Sequence, residues 1–368
     1  MGSGVRERTW FRFARWSPFL LIAAAAIADW VTPGPQRYDR LLSAAPALAA
    51  ATWSVRGTVG IGLFSGLTQY VLAFDRTADS YQAPSGTSTG VIGAVTLAAA
   101  YASLVRQRHE RDLSEVRAVA DTAQRMVLRP LPHRLDGVEL DVLYLAAAAQ
   151  ARIGGDFYEA LRTPYGVRAI LGDVQGKGLA AVEAASVLLG AFREWAYEAP
   201  DLGVLAARLE RSMTRYGDQP PASDAAERFA TAVLVEIPPG QGIARLVNLG
   251  HPAPLLLAAG TVWAVEPAVP QLPVNLSLLA DDDDPAHVET IAFAPGDRLL
   301  LFTDGVSETR DAAGEFYPLA DRVRQWQGEP SPALLDTLRA DLRAFGASPR
   351  DDDVAALVVG RVSPDTVD

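Results

Sequence analysis

Beyond residue 150, four acidic points stand at the ends of apolar runs with β character: Asp156 in RIGGDFY, Asp173 in ILGDVQGKG, Asp304 in LLLFTDGVSE, and Asp351 to Asp353 ahead of VAALVVG. An aspartate at a strand terminus is held by the sheet while its carboxylate projects into the adjoining crevice. Flanking glycines let backbone carbonyls and water come close. Oxygen-only ligands of this kind favour magnesium or manganese over zinc or copper. Two such ions about 3.5–4 Å apart can share a water and make it hydroxide-like. A strand followed by Asp-Gly is commonly just a turn, so the signal lies in the ordered set of four.

Other chemistries are excluded by what the chain lacks. Phe157 follows the aspartate of GGDFY directly, so the second acid of a GGDEF cyclase signature is missing. GDVQGKG has neither the four-residue glycine spacing nor the Ser or Thr of a P-loop. With no cysteine in 368 residues there is no disulfide, thiolate nucleophile or zinc ribbon, and any metal must sit on oxygen or on the four histidines. Residues 1–116 carry eleven Arg against eight Asp and Glu, which leaves about −14 of the net −11 to the remainder. That acidity argues against nucleic acid as a ligand. The Asp281 to Asp284 run reads as a solvated loop.

The elements that must position these acids begin after a different kind of sequence. Apolar stretches recur from Trp16 to Ile27, Leu41 to Val55, Gly57 to Phe74 and Gly90 to Val105. About 20 apolar residues cross a bilayer as a helix, so residues 1–105 are expected to form an all-α membrane region of about four transmembrane helices. Arg6, Arg8, Arg12 and Arg15 precede the first stretch, and Arg106, Arg108 and Arg111 follow the last. The positive-inside rule puts both flanks in the cytoplasm of a bacterial cell and requires an even number of crossings. A cleaved leader ending near Ala45 to Ala47 is the rival reading, and the later apolar stretches argue against it.

Residues 106–132 read as a helical linker. Leu113, Val116, Ala120, Ala123 and Val127 recur at alternating spacings of three and four, a short coiled-coil seam that could pair two copies of the chain. Leu128-Arg-Pro-Leu-Pro132 stops the helix. From 133 to 368, β-rich runs (VELDVLYL, GVRAILGD, FATAVLVEI, ARLVNLG, HVETIAF, DRLLLFTD, VAALVVG) alternate with helical stretches at Gly178 to Tyr197, Leu202 to Tyr216 and Pro332 to Phe345. Strands joined mostly by turns, with helices inserted in blocks, predict a layered α+β domain.

The landmarks LRPLP, RIGGDFYEA, GDVQGKGLAAV, ERFATAVLVEI, LVNLGHPAPLLL, PGDRLLLFTDGVSETRDAAGEFY and DDDVAALVV occur in this order between Leu128 and Val362. Together they resemble the PPM-type metal-dependent protein serine/threonine phosphatases, in particular their SpoIIE-like branch. The resemblance implies an αββα sandwich and a binuclear manganese or magnesium site. It implies that Asp173 bridges both ions, that the carbonyl of Val174 joins the first, and that Asp304 and Asp352 hold the second. Asp156 would orient the attacking water or bind directly, and Asp353 is the alternative ligand of the acidic triplet. Arg152 would contact substrate phosphate. Lys177 reads as a cap on its glycine turn, and His251 as a structural residue.

The activity so implied is hydrolysis of phosphoserine or phosphothreonine on a partner protein, such as an anti-sigma-factor antagonist, by a multi-pass membrane protein with a cytoplasmic catalytic domain. The alternative is a catalytically silent membrane sensor that uses the same fold as a scaffold. Two departures from the family pattern stand out: Ala355 replaces the usual threonine, and PQLPVNLSLL replaces a Gly-x-Pro-Leu-Gly turn.

Overall fold

The computed structural model describes residues 3–32, 39–75, 86–146, 154–218, 228–276, 286–347 and 352–362. The chain forms two compact units, Met1–Val116 and Arg117–Asp368. The boundary falls inside a single helix.

The first unit contains α1 (Ser3–Val31), α2 (Ala44–Thr52), α3 (Val55–Asp75) and most of α4 (Gly86–Val127). Ile22, Ala25, Leu42, Ala45, Ala49, Ile61 and Ile92 make its core. The expectation of about four spans needs correction. The stretch from Leu41 to Val55 is a 3-10 turn at Asp39–Ser43 followed by the nine residues of α2. At 1.5 Å per residue α2 rises about 14 Å, roughly half of a bilayer's hydrocarbon thickness. Trp53 ends it, donating its indole N–H to Arg15 O at 3.0 Å. The Trp53 carbonyl accepts from Ser103 Oγ at 3.0 Å and Arg106 Nη2 at 2.9 Å. Among the described residues one helical stretch, Ser88–Glu115 within α4, is long and apolar enough to cross a membrane.

The second unit begins with the end of α4, which runs unbroken through the expected linker to Val127. Leu113 on the expected seam is exposed; the side chains of Val116, Ala120 and Ala123 lie outside the described residues. A short hairpin joins β1 (Arg134–Leu135) to β2 (Val138–Leu145), turning at Asp136 and Gly137, both with positive φ. Next come β3 (Phe157–Thr163), β4 (Gly166–Val174), α5 (Leu179–Trp195), α6 (Leu202–Gly217), β5 (Ala230–Ile237) and β6 (Ile243–Leu249). They are followed by β7 (Leu255–Ala258), β8 (Thr261–Ala264), β9 (Glu289–Ala292), β10 (Arg298–Phe302), α7 (Asp304–Ser307), α8 (Leu319–Trp326), α9 (Ser331–Phe345) and β11 (Val354–Arg361).

Two antiparallel sheets result, one ordered β1-β2-β11-β10-β7-β8 and the other β3-β4-β5-β6-β9. The central strands, such as β4, β10 and β11, are apolar on both faces because both faces are covered. Along β11, Ala355, Leu357 and Val359 enter the core shared by the two sheets, while Val354, Ala356 and Val358 pack under α8 and α9. Leu299 and Leu301 of β10 face the first core, and Leu300 and Phe302 the second. Helices α5 and α6 cover the other sheet, with Leu188, Leu189, Phe192, Leu205 and Leu209 fully buried. The layers are therefore helix, sheet, sheet, helix, as expected of the α+β domain.

Candidate active site

Asp156 and Asp173 come from one hairpin. Phe157 lies opposite Gly172 in the β3–β4 ladder, and Val174 N donates to Gly155 O at 3.2 Å, so the same register sets Asp156 across from Asp173. Two carboxylates facing each other across a ladder repel, an arrangement that ordinary strand pairing avoids. The hairpin can close here only because two glycines precede Asp156. A Cβ on Gly155 would lie 2.3 Å from the Val174 carbonyl oxygen, and one on Gly154 would lie 2.8 Å from Asp353 Cγ.

The facing sheet supplies the other acids. Thr303 follows the last residue of β10, and Asp304 opens the short helix α7. Thr303 is fully buried and ties the two sheets at this edge: its Oγ1 donates to Asp156 Oδ2 at 2.9 Å and accepts from Ala355 N at 3.0 Å. Thr303 N also donates to Ala355 O at 3.0 Å. The backbone at position 355 is thus held through Thr303, although alanine has replaced the family's threonine there.

In the acidic triplet Asp351 lies outside the described residues, and the other two acids diverge. Asp352 is exposed and pairs with Lys177 Nζ at 3.2 Å. Asp353 is buried, and its Oδ2 accepts from Gly154 N at 3.1 Å, from Gln124 Nε2 at 3.3 Å and from the Tyr144 hydroxyl. Gly305 packs so closely on the Asp353 carbonyl that any side chain there would overlap it.

Electrostatics follow from this crowding. Burial, then Asp173 and Asp353, push Asp156 well above the usual carboxylate range, with the Thr303 hydroxyl opposing. Burial, then Asp304 and Asp352, push Asp173 up to about 7. Asp304 is raised by burial, then by Glu308 and Asp352, while the Gly305 amide and Lys177 pull it down. These acids disfavour one another's ionised forms, which a bound cation would reverse. Among the described residues, no three acidic or imidazole side chains are already gathered into a cage that would hold an ion. The donor set nevertheless fits a hard divalent cation: it is all oxygen and strongly anionic.

Of the remaining expected residues, Val174 ends β4 beside Gly155, and Arg152 lies outside the described residues, as does the run Asp281 to Asp284. His251 is buried in a turn closed by Asn248, whose Oδ1 accepts from His251 N at 2.7 Å and whose Nδ2 donates to His251 O at 2.9 Å. Burial lowers its imidazole pKa to about 3, so the ring is neutral. In the departing segment Asn275 takes the left-handed conformation, φ 73°, and donates from Nδ2 to Arg228 O at 2.7 Å. Sequence reasoning missed Gln124, Tyr144 and Thr303. Thr303 alone had a local signal, as the residue before Asp304 in LLLFTDG.

The sequence profile of the family described as Stage II sporulation protein E (SpoIIE) matches residues 163–362, a segment containing Asp173, Asp304, Asp352 and Asp353. Among solved structures, one of the RsbU and RsbW domains of a Mycobacterium tuberculosis protein is 27% identical, with a TM-score of 0.51 over 62% of this chain. The match spans 61% of that structure's length. The SiaA-PP2C domain of Pseudomonas aeruginosa shares the fold, at 18% identity and a TM-score of 0.56 over 69% of this chain and 99% of that one. With the profile matched across more than half of its length, this chain belongs to the SpoIIE family and carries a phosphatase domain of the PP2C type.

Proposed function

We propose that this chain is a metal-dependent protein serine/threonine phosphatase, anchored in a bacterial membrane with its catalytic domain in the cytoplasm. The observation that carries the reading is the convergence of Asp156 and Asp173 from one sheet with Asp304 and Asp352 from the other, close enough that burial and neighbouring carboxylates raise the pKa of Asp156, Asp173 and Asp304. Asp173, Asp304 and Asp352, with the Val174 carbonyl, would hold two manganese or magnesium ions, which would supply Lewis acidity to the phosphate and to the attacking water. The chain's own groups do the rest. Asp156, fixed at Oδ2 by Thr303, orients the attacking water. Lys177 brings positive charge to the rim beside Asp352, and Arg152 contacts the phosphate. Asp353 serves as a support for the loop and leaves Asp352 as the ligand.

The substrate is a phosphorylated partner protein, such as an anti-sigma-factor antagonist. A relative that joins RsbU and RsbW domains supports a place in that kind of regulation. Membrane anchoring is supported by the apolar helix 88–115, by arginines flanking the apolar stretches, and by the outward-facing apolar side chains of the first unit. The linker seam would pair two copies.

The test is manganese-dependent release of phosphate from phosphoserine and phosphothreonine peptides by the full-length protein. Release that is absent at saturating manganese, with the metal bound, would leave the silent scaffold as the reading.

A further inference from the structure

We propose that Gln124 and Tyr144 are positioning residues: they hold Asp353 so that its carboxylate pins the Gly154 amide, and so fix the entry of Asp156 into the acidic edge. The inference deepens the phosphatase reading above and rests on it for its consequence in catalysis.

Asp353 Oδ2 is the meeting point of three segments far apart in sequence. Gly154 N reaches it across 199 residues, Tyr144 across 209 and Gln124 across 229. Gln124 Nε2 also donates to the Tyr144 hydroxyl, so amide, phenol and carboxylate form one closed set. Gln124 is 6% exposed and Asp353 3%, so water does not compete for these bonds. Burial and the facing Asp353 raise the Tyr144 pKa, which keeps the hydroxyl a donor.

A buried carboxylate could serve only its own turn, and Asp353 N does bond Asp352 Oδ1 at 3.0 Å. What makes this one a positioning device is the neighbours of the groups it joins. Gly154 stands two residues before Asp156, and Asp352 adjoins Asp353 in the chain. The absent side chain of Gly154 is what lets the carboxylate reach its amide. Gln124 belongs to α4, the same helix that carries the apolar stretch 88–115. Through it, the last turn of that helix contacts the support of the acidic edge directly.

The test uses the full-length protein and the variants Gln124→Ala and Tyr144→Phe. Tyr317→Phe is the control, since it deletes a hydroxyl that bonds Asp341 Oδ2 at 2.6 Å in the other core. Amide exchange would be followed by mass spectrometry in peptides covering 154–157 and, for comparison, 232–236. Manganese binding would be followed by calorimetry. We expect faster exchange at 154–156 in both variants with 232–236 unchanged, and about tenfold weaker manganese binding, as for other residues that orient metal ligands. Tyr317→Phe should change neither.

Unchanged exchange at 154–156, or an equal rise throughout the β5 peptide, would overturn the positioning role. So would manganese affinity at the wild-type level in both variants. If the wild-type protein binds no manganese, the phosphatase reading fails, and the exchange result alone decides the positioning role. Should Tyr144→Phe not fold, Gln124→Ala decides it.

Discussion

The two units differ in the side chains they leave exposed. In the first, Trp30, Leu97 and Leu63 are 79%, 74% and 71% exposed, while Thr58, Ser65, Gln69 and Ser103 are buried. In the second, the interior is leucine, valine and alanine from two sheets, and large exposed apolar residues such as Trp263 and Phe316 are scattered. Water outside explains the second unit, since apolar area leaves water on folding. For the first unit, large apolar side chains outside, around a core that mixes isoleucine, leucine and alanine with buried Thr58, Ser65, Gln69 and Ser103, is a pattern that lipid outside would select. The comparison teaches that the same side-chain chemistry sorts by what surrounds the fold, and it turns the membrane reading into a statement about individual residues.

The second unit also buries charge, and the largest effect is expected at its Arg168–Glu236 pair. Fully buried Arg168 donates to Glu236 Oε2 from Nε at 2.8 Å and from Nη2 at 2.6 Å, and donates from Nη1 to Ala196 O and Ala199 O. Arg168→Ala would leave Glu236 Oε2 and the Ala196 and Ala199 carbonyls without their donor, with Arg245 remaining on Glu236 Oε1 at 2.6 Å, and breaking a buried pair costs about 3–5 kcal/mol. A fall in the denaturant midpoint of that size checks it, and a change within error would show that the pair is not desolvated as its burial implies.

Next comes a direct break of the comparison. Leu97→Arg in the first unit should lower recovery in the membrane fraction, because arginine in mid-helix costs about 3 kcal/mol on insertion. Trp263→Arg in the second unit should leave both recovery and stability near wild type. Equal tolerance of the two changes would place water, not lipid, around the first unit.

Asp173→Asn and Asp304→Asn sharpen the comparison at the acidic edge. Turnover should fall below about a tenth, equivalent to at least about 1.4 kcal/mol of barrier. Metal-free stability at neutral pH should hold or rise, since a repelling charge is removed without loss of volume. Thermal melts in chelator and phosphate-release assays read the two halves of this prediction.

A further contrast is a pH dependence with two opposing limbs. Asp173, pushed up to about 7, binds its proton more tightly folded than unfolded. Its contribution is full at acid pH below the ordinary carboxylate value and is lost as pH rises through about 7. His251, pulled down to about 3, contributes fully above its ordinary value of 6.5 and loses that contribution as pH falls towards 3. In chelator, Asp173→Asn should therefore reduce the alkaline decline, to which raised Asp156 and Asp304 also contribute, and leave the acid one, whereas His251→Gln should flatten the acid decline and leave the alkaline one.

Much of this was legible because it is local. The runs of β10 and β11 are continuous in leucine, valine and alanine because each is covered on both faces, and the acids stand at their ends. Strand β3 was harder to read: Glu159 interrupts FYEALRT, and its burial depends on Arg193 Nε at 2.7 Å, 34 residues away. The helix expected from Leu41 to Val55 is apolar enough, yet it is ended by partners of Trp53 at Arg15 and Ser103 that no local pattern reveals. The Asp353 support was hidden for the same reason. Its donors are a glutamine and a tyrosine with no motif of their own, brought in from 229 and 209 residues away.

Helix α4 runs for 42 residues without proline, about 63 Å from end to end. A rod of that kind carries angular phase as well as length. Each residue advances the helix by about 100°, so the side chain that meets Asp353 is chosen by its place in the last turn. A shift of one residue within that turn would swing the Gln124 amide more than a quarter of a circle away from the Asp353 carboxylate.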